Sequence, residues 1–295
     1  MQSSNKYLLV ISPDSSEPVY QKVTATDAGW TYLNMEARLL RKGEIWEGDT
    51  GDNEYGFILL SGNYSVITSH GNWQTVNGRS SVFNGIAHTL YLPSNTHFKF
   101  IAESDLLDLA AGWCKAVDDY PARFKTPAEA AIEIRGGDNA TRQINSLIEP
   151  GFGSSRLVAV EVYTPAGNWS SYPAHKHDVR QVNENGELTE ACLEEFYFYK
   201  FDRPSGYAIQ QVYTSDGKLN ELMQVRNNDL VKVPRGYHPV SAAPGYSCYY
   251  LNFLAGSDQS LANTPDPDHE WMFDSWTRKD ERVPLVTADM NNHQL

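Results

Sequence analysis

The chain is poor in positive charge, in cysteine and in long apolar runs, and each shortage removes a class of function. Lys and Arg number 24 against 37 Asp and Glu, a formal net charge of −13 over 295 residues. A field of that sign repels phosphate backbones and anionic lipids, so neither nucleic acid nor a membrane surface is an expected partner. No stretch of about 18 apolar residues occurs, so no membrane-spanning helix is expected. The opening "MQSSNKYLLVISPDSSEP" lacks the charged start and long apolar core of a signal peptide. The three cysteines, Cys114, Cys192 and Cys248, are widely spaced and form no CxxC pair. They exclude a disulfide scaffold and fit a reducing, cytoplasmic setting in which thiols pack as small hydrophobes.

Helical periodicity is equally scarce. Its best instance is "TPAEAAIEIR", 126–135, expected as a short helical or linking piece, with a Thr cap, Pro at the first position and Glu three residues after the cap. Nearly everything else reads as β. Short runs such as "YGFILLSG", "LVAVEVYT", "FYFYKF", "YAIQQVYT" and "YYLNFLA" alternate with Gly, Asn, Asp and Pro. Asp216-Gly217 between two such runs predicts a hairpin with a type I′ turn. Many short strands with frequent turns place the chain among all-β sandwiches and barrels.

An internal repeat organises these strands. "LYLPSNTHFKF", 90–100, and "VKVPRGYHPVS", 231–241, share apolar-x-apolar-Pro-x-x-x-His. Each is followed by an apolar run ending in Ala-Gly, at Gly112 and Gly256. Two features in the same order imply a duplication. The expected division is a first barrel over 1–130, a second over 131–274 and a polar tail over 275–295.

Only the second half carries a chemical cluster. His175 and His177 flank Lys176, and residues i and i+2 of a strand share a face. His238 follows in a later strand-like run, and "CLEEFYFYK" opens an aromatic strand with Glu194 and Glu195. Three imidazoles and one carboxylate suit a divalent ion and leave coordination positions open. Spacing alone does not separate Glu194 from Glu195. Asp178 is placed to hold an imidazole N–H or to cap the following loop. His97 occupies the repeat position of His238, but the first half has no His-x-His, so its barrel is expected to be metal-free. "GDTGDNEYG", 48–56, lacks the spacing of a calcium loop and reads as an acidic turn.

His-x-His, a strand-opening Glu and a later Pro-x-Gly-x-His resemble the metal-binding motifs of cupins, the jelly-roll barrels built as double-stranded β-helices. A cupin has its Glu only a few residues after the second His, whereas residues 178–194 intervene here. A closer resemblance lies in "TPAGNWSSYPAHKHD", "LEEFYFYKFDRPSGYAIQQVYTSDGKLNE" and "VPRGYHPVSAAPGYSCYYLNFLAG". These segments resemble the bacterial 5-deoxy-glucuronate isomerases of inositol catabolism, and more distantly the uronate ketol-isomerases of pectin breakdown. The likeness is strong over 156–256 and weaker over "RKGEIWEGDTGDNEYGFILLSG" in the first half.

The resemblance implies an all-β bicupin with two jelly-roll barrels, the second binding metal. It implies His175, His177, Glu195 and His238 as ligands, with Glu194 as the alternative carboxylate. It implies a metal-dependent aldose–ketose isomerase with Zn or Mn, acting on a small sugar acid, and a homo-oligomer. Glu194 and Tyr197 are catalytic candidates, and Arg180, Gln211 and Tyr250 are candidates for binding substrate, Arg180 through a bidentate grip on a carboxylate. Other chemistries remain open for such a barrel, among them a metal dioxygenase and a non-catalytic sugar-binding cupin.

Overall fold

The computed structural model describes residues 9–14 and 18–293, so most of the opening segment judged against a signal peptide lies outside the described residues. Two large antiparallel sheets dominate. One runs in the order Arg123–Lys125, Thr89–Leu92, Asn53–Ser61, Leu106–Lys115, Asn34–Arg41, Val19–Val23. The other runs Val10–Ile11, Leu230–Val233, Leu188–Phe201, Cys248–Gly256, Val158–Thr164, Arg142–Ile148, Ile132–Arg135, with Asp178–Val182 paired to Leu188–Phe201. A four-stranded sheet faces each: Ile45–Asp49, His97–Ala102, Tyr64–Thr68 and Gly71–Gln74 in the first half, Trp169–Ser170, Val240–Ala242, Tyr207–Tyr213 and Asn220–Arg226 in the second. The fold is all-β, a bicupin of two jelly-roll barrels, as the sequence indicates.

Strand alternation sorts the side chains into three large cores and a small fourth one. Along Leu188–Phe201, Leu193, Glu195, Tyr197 and Tyr199 face the inside of the second barrel, while Phe196 and Phe198 face the first half. There they meet Met35, Ile58 and Ala110 in a layer between the two large sheets, closed from the second half by Leu251 and Phe253. Gly56 and Gly112 are register partners in the first large sheet. A Cβ on Gly112 would sit 2.3 Å from the Phe253 ring, and one on Gly56 would sit 2.6 Å from Ile148. These two glycines let the sheets approach.

The first barrel is filled with rings. Tyr55 stacks on Trp113 at 5.2 Å, and Phe57, Phe98 and Phe100 interlock around Trp46. Tyr55 pairs with Leu92 as Glu195 pairs with Val233, so a tyrosine stands where the second barrel has its inward carboxylate. His97 is exposed, its ring nitrogens 3.3 and 3.4 Å from Glu47 and Asp49.

Several sequence expectations are corrected. The segment 126–135 is not a helix beyond the 3-10 turn Pro127–Glu129, because "IEIR" continues as the strand Ile132–Arg135. Alternating β-branched residues favour that outcome. The Asp216-Gly217 turn does close a hairpin, but Tyr213 pairs with Asn220, so the loop is six residues long rather than a two-residue turn. Val10–Ile11, assigned to the first barrel, pairs instead with Leu230–Val233 of the second half. The polar tail after 275, expected to wrap or to trail, wraps: it folds back across both halves. Gln143 holds the backbone of Leu285 and Val286, and Asn291 is bonded to Ile86 in both directions.

Candidate metal centre

His175 opens the short strand His175–Lys176, held by pairing with Thr264–Pro265, and His177 follows directly after it. Lys176 points away from them and binds Asp178 and Glu190 at 2.8 and 2.7 Å. His177 reaches the Leu188–Phe201 strand, and His238 arrives from the loop before Val240–Ala242. The ligand nitrogens of His175, His177 and His238 lie within 4.8 Å of one another, a span that two bonds of about 2.1 Å nearly cover. Among the described residues, this is the one His/Cys/Asp/Glu group so arranged.

Two backbone carbonyls fix the imidazole tautomers. A carbonyl only accepts, so His177 Nδ1–H donates to Leu193 O at 3.2 Å and His238 Nδ1–H donates to Gly236 O at 2.8 Å. The two Nε2 atoms then converge on one oxygen of Glu195, at 2.9 and 3.2 Å. His238 Nε2 is fully buried and makes no hydrogen bond despite that short distance. Lone pairs and a carboxylate oxygen crowded together repel unless a cation lies among them. The donor set therefore fits a divalent ion, with His175, His177, His238 and Glu195 as the residues able to hold it.

The proton affinities follow the same logic. Burial, reinforced by His238 and Arg142, holds His175 well below the usual imidazole range. Burial would also lower His177, but the Glu195 contact outweighs it and raises that group. Burial would raise Glu195, and His177 and His238 bring it below the usual carboxylate range instead. The site favours a negative carboxylate facing a positive charge, whether proton or metal.

Asp178 does not touch an imidazole. Its Oδ2 accepts the Gly236 N–H at 2.9 Å, and Gly236 O in turn orients His238. Asp178 thereby ties the His-x-His segment to the Pro-x-Gly-x-His segment.

Residues 8–272 match the family model described as the KduI/IolB family. The chain belongs to this family. It is similar to the 5-deoxy-glucuronate isomerase of Geobacillus thermodenitrificans (strain NG80-2), 38% identical over 272 residues that cover 92% of this chain and 97% of that one. The 5-deoxy-glucuronate isomerase of Bacillus subtilis (strain 168) is 32% identical over 86% of this chain and 92% of its own. Among solved structures, an IolB-like protein from Salmonella typhimurium LT2 superposes with a TM-score of 0.85 at 35% identity, covering 90% of this chain and all of that one. Oxalate decarboxylase of Bacillus subtilis shares the fold, with a TM-score of 0.61 at 13% identity over 87% of this chain and 79% of its own.

In this KduI/IolB chain, the cavity beside the centre gathers some of the other sequence-predicted residues and rejects others. Tyr197 and Tyr250 line it, with Tyr197 ring to His238 ring at 5.8 Å and Tyr250 Oη to Ser170 Oγ at 2.5 Å. Burial, then Glu195, keeps the Tyr197 phenol well above its ordinary range, so it is a neutral donor. Glu194 is not in the cavity. It is one residue out of phase with Glu195, and its carboxylate accepts the N–H groups of Thr31, Tyr32 and Leu33 at 2.7 to 2.9 Å. Arg180 lies on the exposed hairpin after Asp178, bound by Asp258 at 2.9 and 3.2 Å. Gln211 faces outward to Asn220, while its neighbour Gln210 points inward and accepts from Tyr199 Oη.

Sequence reasoning missed Arg142, Arg135 and Ser171, which line the cavity. The signal for Arg142 was "RQINS", whose alternate residues Arg142, Ile144 and Ser146 all face the cavity.

Proposed function

We propose that this protein is a metal-dependent aldose–ketose isomerase that converts 5-deoxy-D-glucuronate to 5-dehydro-2-deoxy-D-gluconate in myo-inositol catabolism. The observation that carries the reading is the convergence of three imidazoles and Glu195 on one point of a cavity, in a chain whose relatives are named for that isomerisation. The ion, Zn or Mn in this reading, supplies Lewis-acid stabilisation of negative charge on adjacent oxygens without redox change. The protein's own groups do the rest. Leu193 and Gly236 carbonyls keep both Nε2 lone pairs aimed at the centre. The neutral Tyr197 hydroxyl and the Ser171 hydroxyl, 3.4 Å apart, provide donors for substrate oxygens. Apolar walls from Val160, Val162 and Leu254 thin the water around the moving proton.

The same reading takes 1–130, apart from Val10–Ile11, and 131–274 as separate barrels, the second catalytic, with 275–295 as a tail folded back over both. A cytoplasmic setting is supported by three cysteines that form no disulfide. A homo-oligomer is carried by the family resemblance alone.

The test is direct. Purified protein, metal-loaded or chelator-treated, is incubated with 5-deoxy-D-glucuronate and followed by NMR for loss of the aldehyde and appearance of the 2-keto acid. Turnover only in the loaded form is the expected result, and its absence there overturns the reading.

A further inference from the structure

Arg142 is 8% exposed, lines the metal-centre cavity and has no carboxylate within ion-pair distance among the described residues. Its Nε is buried without a hydrogen-bond partner. Its cross-strand neighbour in register is another arginine, Arg135. Like charges directly opposite one another in a sheet are unfavourable, and a buried guanidinium without a counter-charge is more so. Glu133 ion-pairs with Arg135, Oε1 2.6 Å from its Nε, and acts on Arg142 only from beyond ion-pair distance. One positive charge is thus left over inside the cavity. Tyr197 and Tyr250 are the other polar side chains whose charge bears on it, and both are neutral phenols.

We propose that Arg142 is the seat of the substrate carboxylate, with Arg135 beside it, so that the cavity grips a sugar acid at both ends: the carboxylate at the guanidinium and the carbonyl end at the metal centre. This rests on the isomerase reading for the substrate and adds the element that selects an acid over a neutral sugar. A guanidinium presents two parallel N–H donors that match a carboxylate, and the buried setting strengthens the contact. Arg142 is then a specificity residue, and its unmet donor is the mark of a ligand that binds there. What separates it from a structural arginine is the missing counter-charge: Arg79 also buries one N–H without a partner, but it has Glu161 at 2.9 Å.

Three variants, Arg142→Met, Arg142→Lys and Arg142→Gln, separate the possibilities. With 5-deoxy-D-glucuronate, Arg142→Gln is expected to raise KM about 100-fold and to change kcat only a few-fold, with metal content unchanged. Arg142→Lys, which keeps charge but loses the fork, should fall between. Calorimetry with D-gluconate, a carboxylate that cannot isomerise, should show binding to the wild type and none to Arg142→Met, while neutral D-glucose should not distinguish them. Arg142→Met should melt at the same temperature as the unliganded wild type or higher, because it removes an unpaired buried charge. Unchanged KM in Arg142→Gln, equal gluconate binding by Arg142→Met, or a lowered melting temperature with intact gluconate binding would each overturn the assignment. Should the wild type itself fail to turn over the aldehyde acid, the gluconate comparison still reads the carboxylate seat, so the two ideas fail separately.

Discussion

Glu194 does for the first half of the chain what Glu54 does for the second. Glu194 gathers the backbone N–H groups of Thr31, Tyr32 and Leu33, and Glu54 gathers those of Ser155, Arg156 and Leu157 at 2.6 to 2.8 Å. Each glutamate lies in the middle of its own large sheet and reaches across to the turn that leads into the other half's sheet. The exchange is reciprocal, as expected of duplicated barrels packed back to back. It also removes Glu194 from the chemistry, since a carboxylate that accepts three N–H groups is committed.

The roles of the adjacent glutamates can be split by substitution. Glu194→Ala leaves three N–H groups without their acceptor and should lower unfolding free energy by about 1–3 kcal/mol, with bound metal unchanged. Glu195→Gln should do the reverse, abolishing stoichiometric metal and cutting turnover at least 100-fold with a smaller change in stability. Urea unfolding and elemental analysis of the two variants check this. Metal loss in Glu194→Ala at a pH where it is folded would contradict the geometry.

Asp178 offers a subtler test. Because it acts on His238 only through the Gly236 peptide, Asp178→Asn should leave His175, His177, His238 and Glu195 present but loosen one of them. Supporting contacts of this kind change metal affinity about 10- to 100-fold. A competition titration against a coloured chelator measures the shift, and an affinity equal to wild type would show that Gly236 is held well enough without it.

The cluster of His175, His177, His238 and Glu195 was legible in the sequence because its residues obey short rules. His175 and His177 are two apart, Glu195 shares its face with the aromatic alternation that follows, and His238 closes a Pro-x-Gly-x-His turn. Period 2 also makes errors of one residue total, which is why Glu194, offered beside Glu195 as alternative ligand and catalytic candidate, and Gln211, offered where Gln210 points inward, fall on the wrong face. Arg180 looked suitable because it is near the histidines in sequence, but the hairpin it sits on carries it outward to Asp258. Arg142 was invisible for the opposite reason. It lies 33 positions before His175 in sequence and joins the cavity only through the register of two outer strands of the large sheet.

The close approach of the two large sheets is testable at Gly112. An added methyl there meets the Phe253 ring at 2.3 Å, and Phe253 is itself packed between the sheets. Gly112→Ala should destabilise the protein by about 1–3 kcal/mol through overpacking. Adding Phe253→Leu should recover part of that loss, so the double variant would be more stable than the sum of the singles. Additive effects in thermal unfolding would mean that the methyl is accommodated elsewhere.

Stability in mild acid should depend on His88. This ring is 2% exposed, lies 5.7 Å from Phe124 and has an Nδ1 with no partner. Burial, and then the charge of Arg79, bring it down to about 4. The folded protein therefore keeps His88 neutral at pH values where the unfolded chain, with an ordinary imidazole near 6.5, has taken up a proton. More protons bound by the unfolded state means that stability falls as pH falls, fully present above about 6.5 and reduced by about 3 kcal/mol near pH 4. His175 contributes in the same direction, so the comparison is made on chelator-treated protein in which that part is common to both samples. His88→Gln should flatten the decline between pH 7 and 4.5 by about 2–3 kcal/mol relative to wild type, read from urea unfolding at each pH. Parallel pH profiles for the two proteins would show that His88 becomes protonated within the folded state.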